Sequence, residues 1–132
     1  MTHPLKIAKL ADASRVEFGP LSFYHPLVAD GDTPVRTGIQ TSAPGYVAPM
    51  HFHPYTELLF IIEGEADVWI GDTRATFGPG QLAIVPAGRK HGFTNTGSGV
   101  LHIRSTLASP VFEAAYDDKR ETPRRWLPSA KA

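Results

Sequence analysis

Gly45-Tyr46-Val47-Ala48-Pro49-Met50-His51-Phe52-His53-Pro54-Tyr55-Thr56-Glu57, followed by an apolar run that stops at Gly64, is the stretch on which the reading of this chain turns. His51 and His53 are two positions apart, so on one strand they point to the same face. Pro54 marks a turn, after which Glu57 returns on the neighbouring strand. Glu57, Leu59 and Ile61 share one parity, while Leu58, Phe60 and Ile62 take the other. A strand apolar on both sides is normally covered on both. A second stretch, Gly80-Gln81-Leu82-Ala83-Ile84-Val85-Pro86-Ala87-Gly88-Arg89-Lys90-His91-Gly92-Phe93-Thr94-Asn95, brings His91 from a distant strand, with Phe93 and Asn95 on its face. Three imidazoles and one carboxylate can then meet at one point inside a small barrel. Buried together, such groups are costly without an ion or hydrogen-bond partners.

The surrounding sequence reads as short strands and tight turns. Ala66, Val68 and Ile70 alternate with Glu65, Asp67 and Trp69, the pattern of a half-buried strand, and Gly71-Asp72 is a two-residue hairpin turn. Gly78-Pro79-Gly80, Pro86-Ala87-Gly88 and Gly97-Ser98-Gly99 punctuate the strands Leu82 to Val85, His91 to Asn95 and Val100 to Leu107. Pro34 to Ser42 is a further strand. Val16 to Phe18 and Leu21 to Tyr24 are two short ones near the start. After Ser109-Pro110 the pattern changes, and Val111 to Tyr116 reads as a short helix with Ser109 as its cap. The charged tail beyond it has one anchor, Trp126-Leu127. This order predicts an all-β single domain over residues 1–132: N-terminal strands in 1–33, a core barrel over about 34–108 and a tail over 109–132 with a short helix.

The two stretches also resemble the motifs of the cupin superfamily. Gly45, His51, His53, Glu57 and Gly64 fill G-x5-H-x-H-x3-4-E-x6-G, and Gly80, Pro86, Gly88, His91 and Asn95 fill G-x5-P-x-G-x2-H-x3-N. The likeness covers Gly45 to Asn95 and is closest to small single-domain bacterial members. It implies a double-stranded β-helix, or jelly-roll barrel, a metal held by His51, His53, Glu57 and His91, and a homodimer.

Composition narrows the chemistry. Cysteine is absent, so any metal is held by nitrogen and oxygen, and the reducing cytoplasm is the expected compartment. Three imidazoles and a carboxylate suit one divalent transition metal: Fe, Mn, Ni, Zn, Co or Cu. Lys and Arg total 13 and Asp and Glu total 13, which gives no pull towards nucleic acid or an anionic membrane. No apolar run approaches the roughly 20 residues of a membrane span, and Met1 to Lys6 has none of the apolar length of a secretory signal.

Several side chains are candidates for the substrate pocket. Leu59 and Ile61 share the parity of Glu57, and Phe93 that of His91. Gln40 is placed to add one polar contact. His102 and Arg104 lie opposite Leu101 and Ile103 on their strand: the apolar pair inside puts them on the surface, and the reverse puts them in the pocket against an anionic substrate. Tyr55, beside the ligands, reads as an exposed loop aromatic or a gate. Arg89-Lys90, His3 and His25 read as surface residues. The apolar face of Leu58, Phe60 and Ile62 needs cover, from the N-terminal segment or from a second subunit.

An open metal position favours an enzyme acting on a small organic molecule, and the resemblance, whose small single-barrel members include dioxygenases, implies first a dioxygenase-like oxidoreductase. A redox-neutral isomerase, decarboxylase or lyase would use the same ligands, and a non-catalytic sensor or binding protein would need no reaction.

Overall fold

Period-two alternation runs through most of the chain, and the computed structural model shows it as two six-stranded antiparallel sheets. Residues 5–116 and 125–126 are described. In chain order the strands are β1 Val16–Glu17, β2 Ser22–Pro26, β3 Arg36–Ser42, β4 His51–Phe52, β5 Glu57–Glu63, β6 Ala66–Ile70, β7 Thr73–Phe77, β8 Leu82–Val85, β9 His91–Asn95, β10 Leu101–Leu107, β11 Ala114–Tyr116 and β12 Arg125–Trp126. One sheet runs β1-β2-β3-β10-β5-β8 and the other β12-β11-β4-β9-β6-β7. A single turn of 3-10 helix spans Leu10–Asp12. No helix among the described residues is long and apolar enough to cross a membrane.

The inward parities of both sheets fill the space between them. Leu59, Ile61, Leu101 and Ile103 from one sheet meet Ala66, Val68, Phe77 and Phe93 from the other. Gly71-Asp72 forms the expected hairpin, with Ile70 opposite Thr73. A smaller cluster of Tyr55, Leu107, Phe112 and Ala114 closes one end of the barrel.

The stretch Val111 to Tyr116 is not helical. Its second half is β11, with Ala115 opposite Phe52 and Tyr116 opposite His51. A helix of six residues is too short to hold itself, whereas the free edge of β4 offers ladder partners at once. Ser109 still receives the Val111 N–H on its hydroxyl, at 3.2 Å, but caps a turn. Arg125–Trp126 pairs with β11, while Leu127 and the rest of the tail lie outside the described residues, as does His3.

The outward face of β5 is also uncovered. Phe60 and Ile62 are exposed, beside Leu82 and Ile84 of the edge strand β8. The N-terminal strands do not supply the cover, because β1 and β2 lie at the opposite end of the same sheet.

Candidate metal centre

His51 and His91 face each other across the β4–β9 pair. His53 follows β4, and Glu57 opens β5 in the other sheet. One donor atom from each of the four lies within 4.8 Å of all the others. The backbone aims the rings: His51 Nδ1 donates to Pro49 O at 2.6 Å, His53 Nδ1 to Glu113 O at 2.7 Å and His91 Nδ1 to Arg89 O at 3.0 Å. With each Nδ1–H committed to a carbonyl, the three Nε2 atoms are left to face the centre.

Glu57 divides its two oxygens between different tasks. Oε1 lies 3.0 Å from His91 Nε2 and 3.2 Å from His53 Nε2. Oε2 accepts the Ser105 hydroxyl at 2.9 Å. His53 Nε2 is buried yet lacks a hydrogen-bond partner, since its approach to Glu57 is close without being aligned. A buried ring nitrogen left unpaired beside a carboxylate and two more imidazoles fits a cation at their shared centre.

The charges agree. Burial alone would raise the Glu57 carboxyl, but the imidazoles of His53 and His91 outweigh it and hold it well below the usual carboxylate range. Burial, then the neighbouring His91 and His53, pushes His51 down to about 3. Burial disfavours charge on His53 too, but the Glu57 carboxylate overrides it and raises that ring above its ordinary value. An ionised carboxylate and a neutral His51 are the forms that bind a metal ion.

A cavity of about 370 Å³ opens onto these residues. Leu59, Phe93 and Gln40 line it, with Gln40 Nε2 donating to Ser22 Oγ at 2.9 Å. Ile61 does not reach it and is fully buried in the core beneath. His102 and Arg104 are not pocket residues. Strand β10 turns Leu101, Ile103, Ser105 and Leu107 inward, so His102 pairs outside with Glu63 at 3.0 Å and Arg104 donates to Thr37 Oγ1 at 3.2 Å.

Tyr55 is buried, not an exposed loop aromatic. Its ring stacks on His53 with centroids 5.1 Å apart, and its hydroxyl both donates to Glu113 O and accepts Glu113 N–H, each at 2.9 Å. His25 is half-buried, edge-on to Phe23, while Arg89 and Lys90 are exposed as expected. Asn95 stands away from the centre and serves the fold. Its amide donates to Ser42 O and Gly99 O, and its oxygen accepts Gly97 N–H.

The chain matches the cupin domain family over residues 38–107, more than half its length. It belongs to the cupin family. No curated protein matches this cupin by sequence, but solved structures share its fold. The oxalate decarboxylase of Lactobacillus farciminis, in its formate complex, superposes with a TM-score of 0.74 at 18% identity, over 83% of this chain and 35% of that one. The cupin thus spans about a third of that enzyme. The polyketide cyclase RemF of Streptomyces resistomycificus gives 0.69 at 19% identity, over 79% of each chain. An uncharacterised protein with a double-stranded β-helix domain from Klebsiella pneumoniae gives 0.69 at 22%, over 84% and 90%.

Two groups of this cupin's site escaped the sequence reading. Tyr116 lies against His51, with ring centroids 5.4 Å apart. Ser105 fixes the second oxygen of Glu57, and its inward parity with Ile103 was the signal that could have found it. Ser105→Ala is expected to weaken metal binding by roughly 10- to 100-fold, as losses of a ligand's supporting partner do, with Ser105→Thr recovering part of it. Competition against a metal chelator measures this, and an unchanged affinity would show that Ser105 does not hold the carboxylate.

Proposed function

We propose that this cupin is a metal-dependent enzyme acting on a small organic molecule, with dioxygenase-like oxidation as its first reading. The observation that carries it is the opening of the four convergent donors onto a cavity of substrate size. His51, His53, Glu57 and His91 would hold one divalent transition metal. When bound there, such a metal supplies Lewis-acid polarisation of substrate oxygens and, if redox-active, electrons for dioxygen. Phe93 and Leu59 offer an apolar wall to the substrate body, and the Gln40 amide can orient a polar group. Ser105 keeps one Glu57 oxygen engaged, so the carboxylate presents the other towards the imidazoles.

A redox-neutral reaction is the second reading. It is favoured by the decarboxylase and the cyclase among the fold neighbours, which share architecture with this chain at low identity. Oxygen uptake by the iron-loaded protein, screened over organic acids, diketones and phenols, separates the two. Substrate-dependent uptake is expected. Turnover of a substrate without uptake would replace the first reading with the second, and tight binding without turnover would replace both with a binding protein.

We also propose a homodimer through the uncovered face of β5 and β8. Phe60, Ile62, Leu82 and Ile84 are 38%, 48%, 47% and 60% exposed, and their registers place them together on one sheet surface. Such a strip invites a second copy. Light scattering should give twice the chain mass for the native protein and the single mass for the Phe60→Lys/Ile84→Lys variant. A dilute native monomer would contradict this.

A further inference from the structure

The three imidazoles owe their aim to carbonyls of different kinds. Pro49 and Arg89, which accept from His51 and His91, each stand two residues before the ring they orient, so the local chain sets those two. The acceptor for His53 is Glu113 O, 60 residues further along the sequence. Glu113 lies just before β11 and outside its ladder, which begins at Ala114. Strand pairing therefore does not itself set the tilt of that peptide, and Tyr55 grips it at both ends. The Tyr55 hydroxyl donates to Glu113 O and accepts Glu113 N–H, each at 2.9 Å. A carbonyl has two lone pairs, so the bonds from His53 and Tyr55 meet on one oxygen. The ring of Tyr55 lies within 11° of parallel to the His53 imidazole and is buried beside it.

Given His53 as a ligand, we propose that Tyr55 is a positioning residue for the metal centre. It pins the Glu113 peptide, and the pinned carbonyl holds the His53 ring with Nε2 towards Glu57 and His91. Tyr55 does not itself line the cavity. Its hydroxyl is engaged with Glu113 as donor and as acceptor, so its effect on an ion passes through His53. The segment that Tyr55 fastens also walls the site. Phe112 stands edge-on to His53 and Tyr116 lies against His51, on either side of Glu113 in the chain. Tyr55→Phe keeps the ring on His53 and removes only the grip. Glu113 O and N–H then each lose a partner, and the carbonyl can tilt away from His53 Nδ1.

Zinc is a suitable probe, since its closed shell leaves magnetic resonance undisturbed. Competition against a chelator gives its affinity, and proton–nitrogen spectra of the zinc-loaded protein give the rate at which each imidazole Nδ1–H exchanges with water. Tyr55→Phe is expected to bind zinc about 10- to 100-fold more weakly. It should also exchange the His53 Nδ1–H faster, while that of His91, whose acceptor is local, keeps its native rate. Ser22→Ala is the control: it removes another buried hydroxyl, one bonded to Ser42 and Gln40, and should leave zinc affinity unchanged. In the native zinc protein the Tyr55 hydroxyl proton and the His53 Nδ1–H point at one oxygen, so a nuclear Overhauser cross-peak between them is expected. An unchanged zinc affinity in Tyr55→Phe would overturn the role of Tyr55 and leave the ligand set standing. So would an equal loss in Ser22→Ala, or equal quickening of the His53 and His91 protons, either of which marks a general loosening. A missing cross-peak would overturn it even if Tyr55→Phe fails to fold. A native protein that binds no zinc would overturn both the role and the ligand set.

Discussion

Alanine in place of His51 or His91 should leave the protein without stoichiometric metal while most of its β-structure survives. Each change removes a donor from a set of four, and the remaining three would hold the ion by one bond fewer. Loss of a mere supporting partner costs about 10- to 100-fold in affinity, and loss of a ligand should exceed that. The fold has other anchors. The core of Leu59, Ile61, Leu101 and Ile103 against Val68 and Phe93 does not involve the imidazoles. His51 is the cleaner variant, because it is only half-buried and its one hydrogen bond is to Pro49 O. His91 also faces Glu57 at 3.0 Å, so its removal takes one partner from a buried carboxylate as well and leaves it the Ser105 hydroxyl and His53. Elemental analysis beside far-ultraviolet circular dichroism reads both effects. Native metal content in both variants would refute the ligand assignment.

Gly64→Ala should lower the melting temperature by about 10–20 °C, a figure built from two costs of similar size. Gly64 ends β5 with φ at +96°, a region where a side chain strains the backbone by about 1–3 kcal/mol. An added Cβ would also stand 2.7 Å from Val100 O and 2.9 Å from Leu101 Cα. Both are backbone atoms of the adjoining strand, which cannot swing aside, and overpacking of that kind costs about 1–3 kcal/mol. The sum is a large part of a typical domain's stability of about 5–15 kcal/mol. Gly99→Ala is the control, since nothing lies within 4 Å of a Cβ there. Equal melting of the two variants would show that the close approach of β5 and β10 is not what requires glycine.

Much of this was legible in the amino-acid order because strand parity is a strong local signal. It places Glu57, Leu59 and Ile61 inward together, and the glycine turns bring β4, β5 and β9 into range. Parity also resolves His102 and Arg104 once Leu101 and Ile103 are known to be inside. It fails where a distant partner decides. Tyr55 is buried because the backbone of Glu113, far along the chain, satisfies its hydroxyl. Residues Ala114–Tyr116 become a strand because β4 has a free edge. Ser105 looks like a tolerated small residue until the register sets it beside Leu59, one inward step from Glu57.

X-ray absorption on protein purified without added metal would probe the shared centre of His51, His53, Glu57 and His91 itself. One divalent transition metal per chain is expected, with three imidazole nitrogens and at least one oxygen at about 2.0–2.2 Å for an ion of zinc's size. A chain that holds no metal after exposure to each of the six candidates, or one whose metal shows fewer than three imidazoles, would contradict that centre.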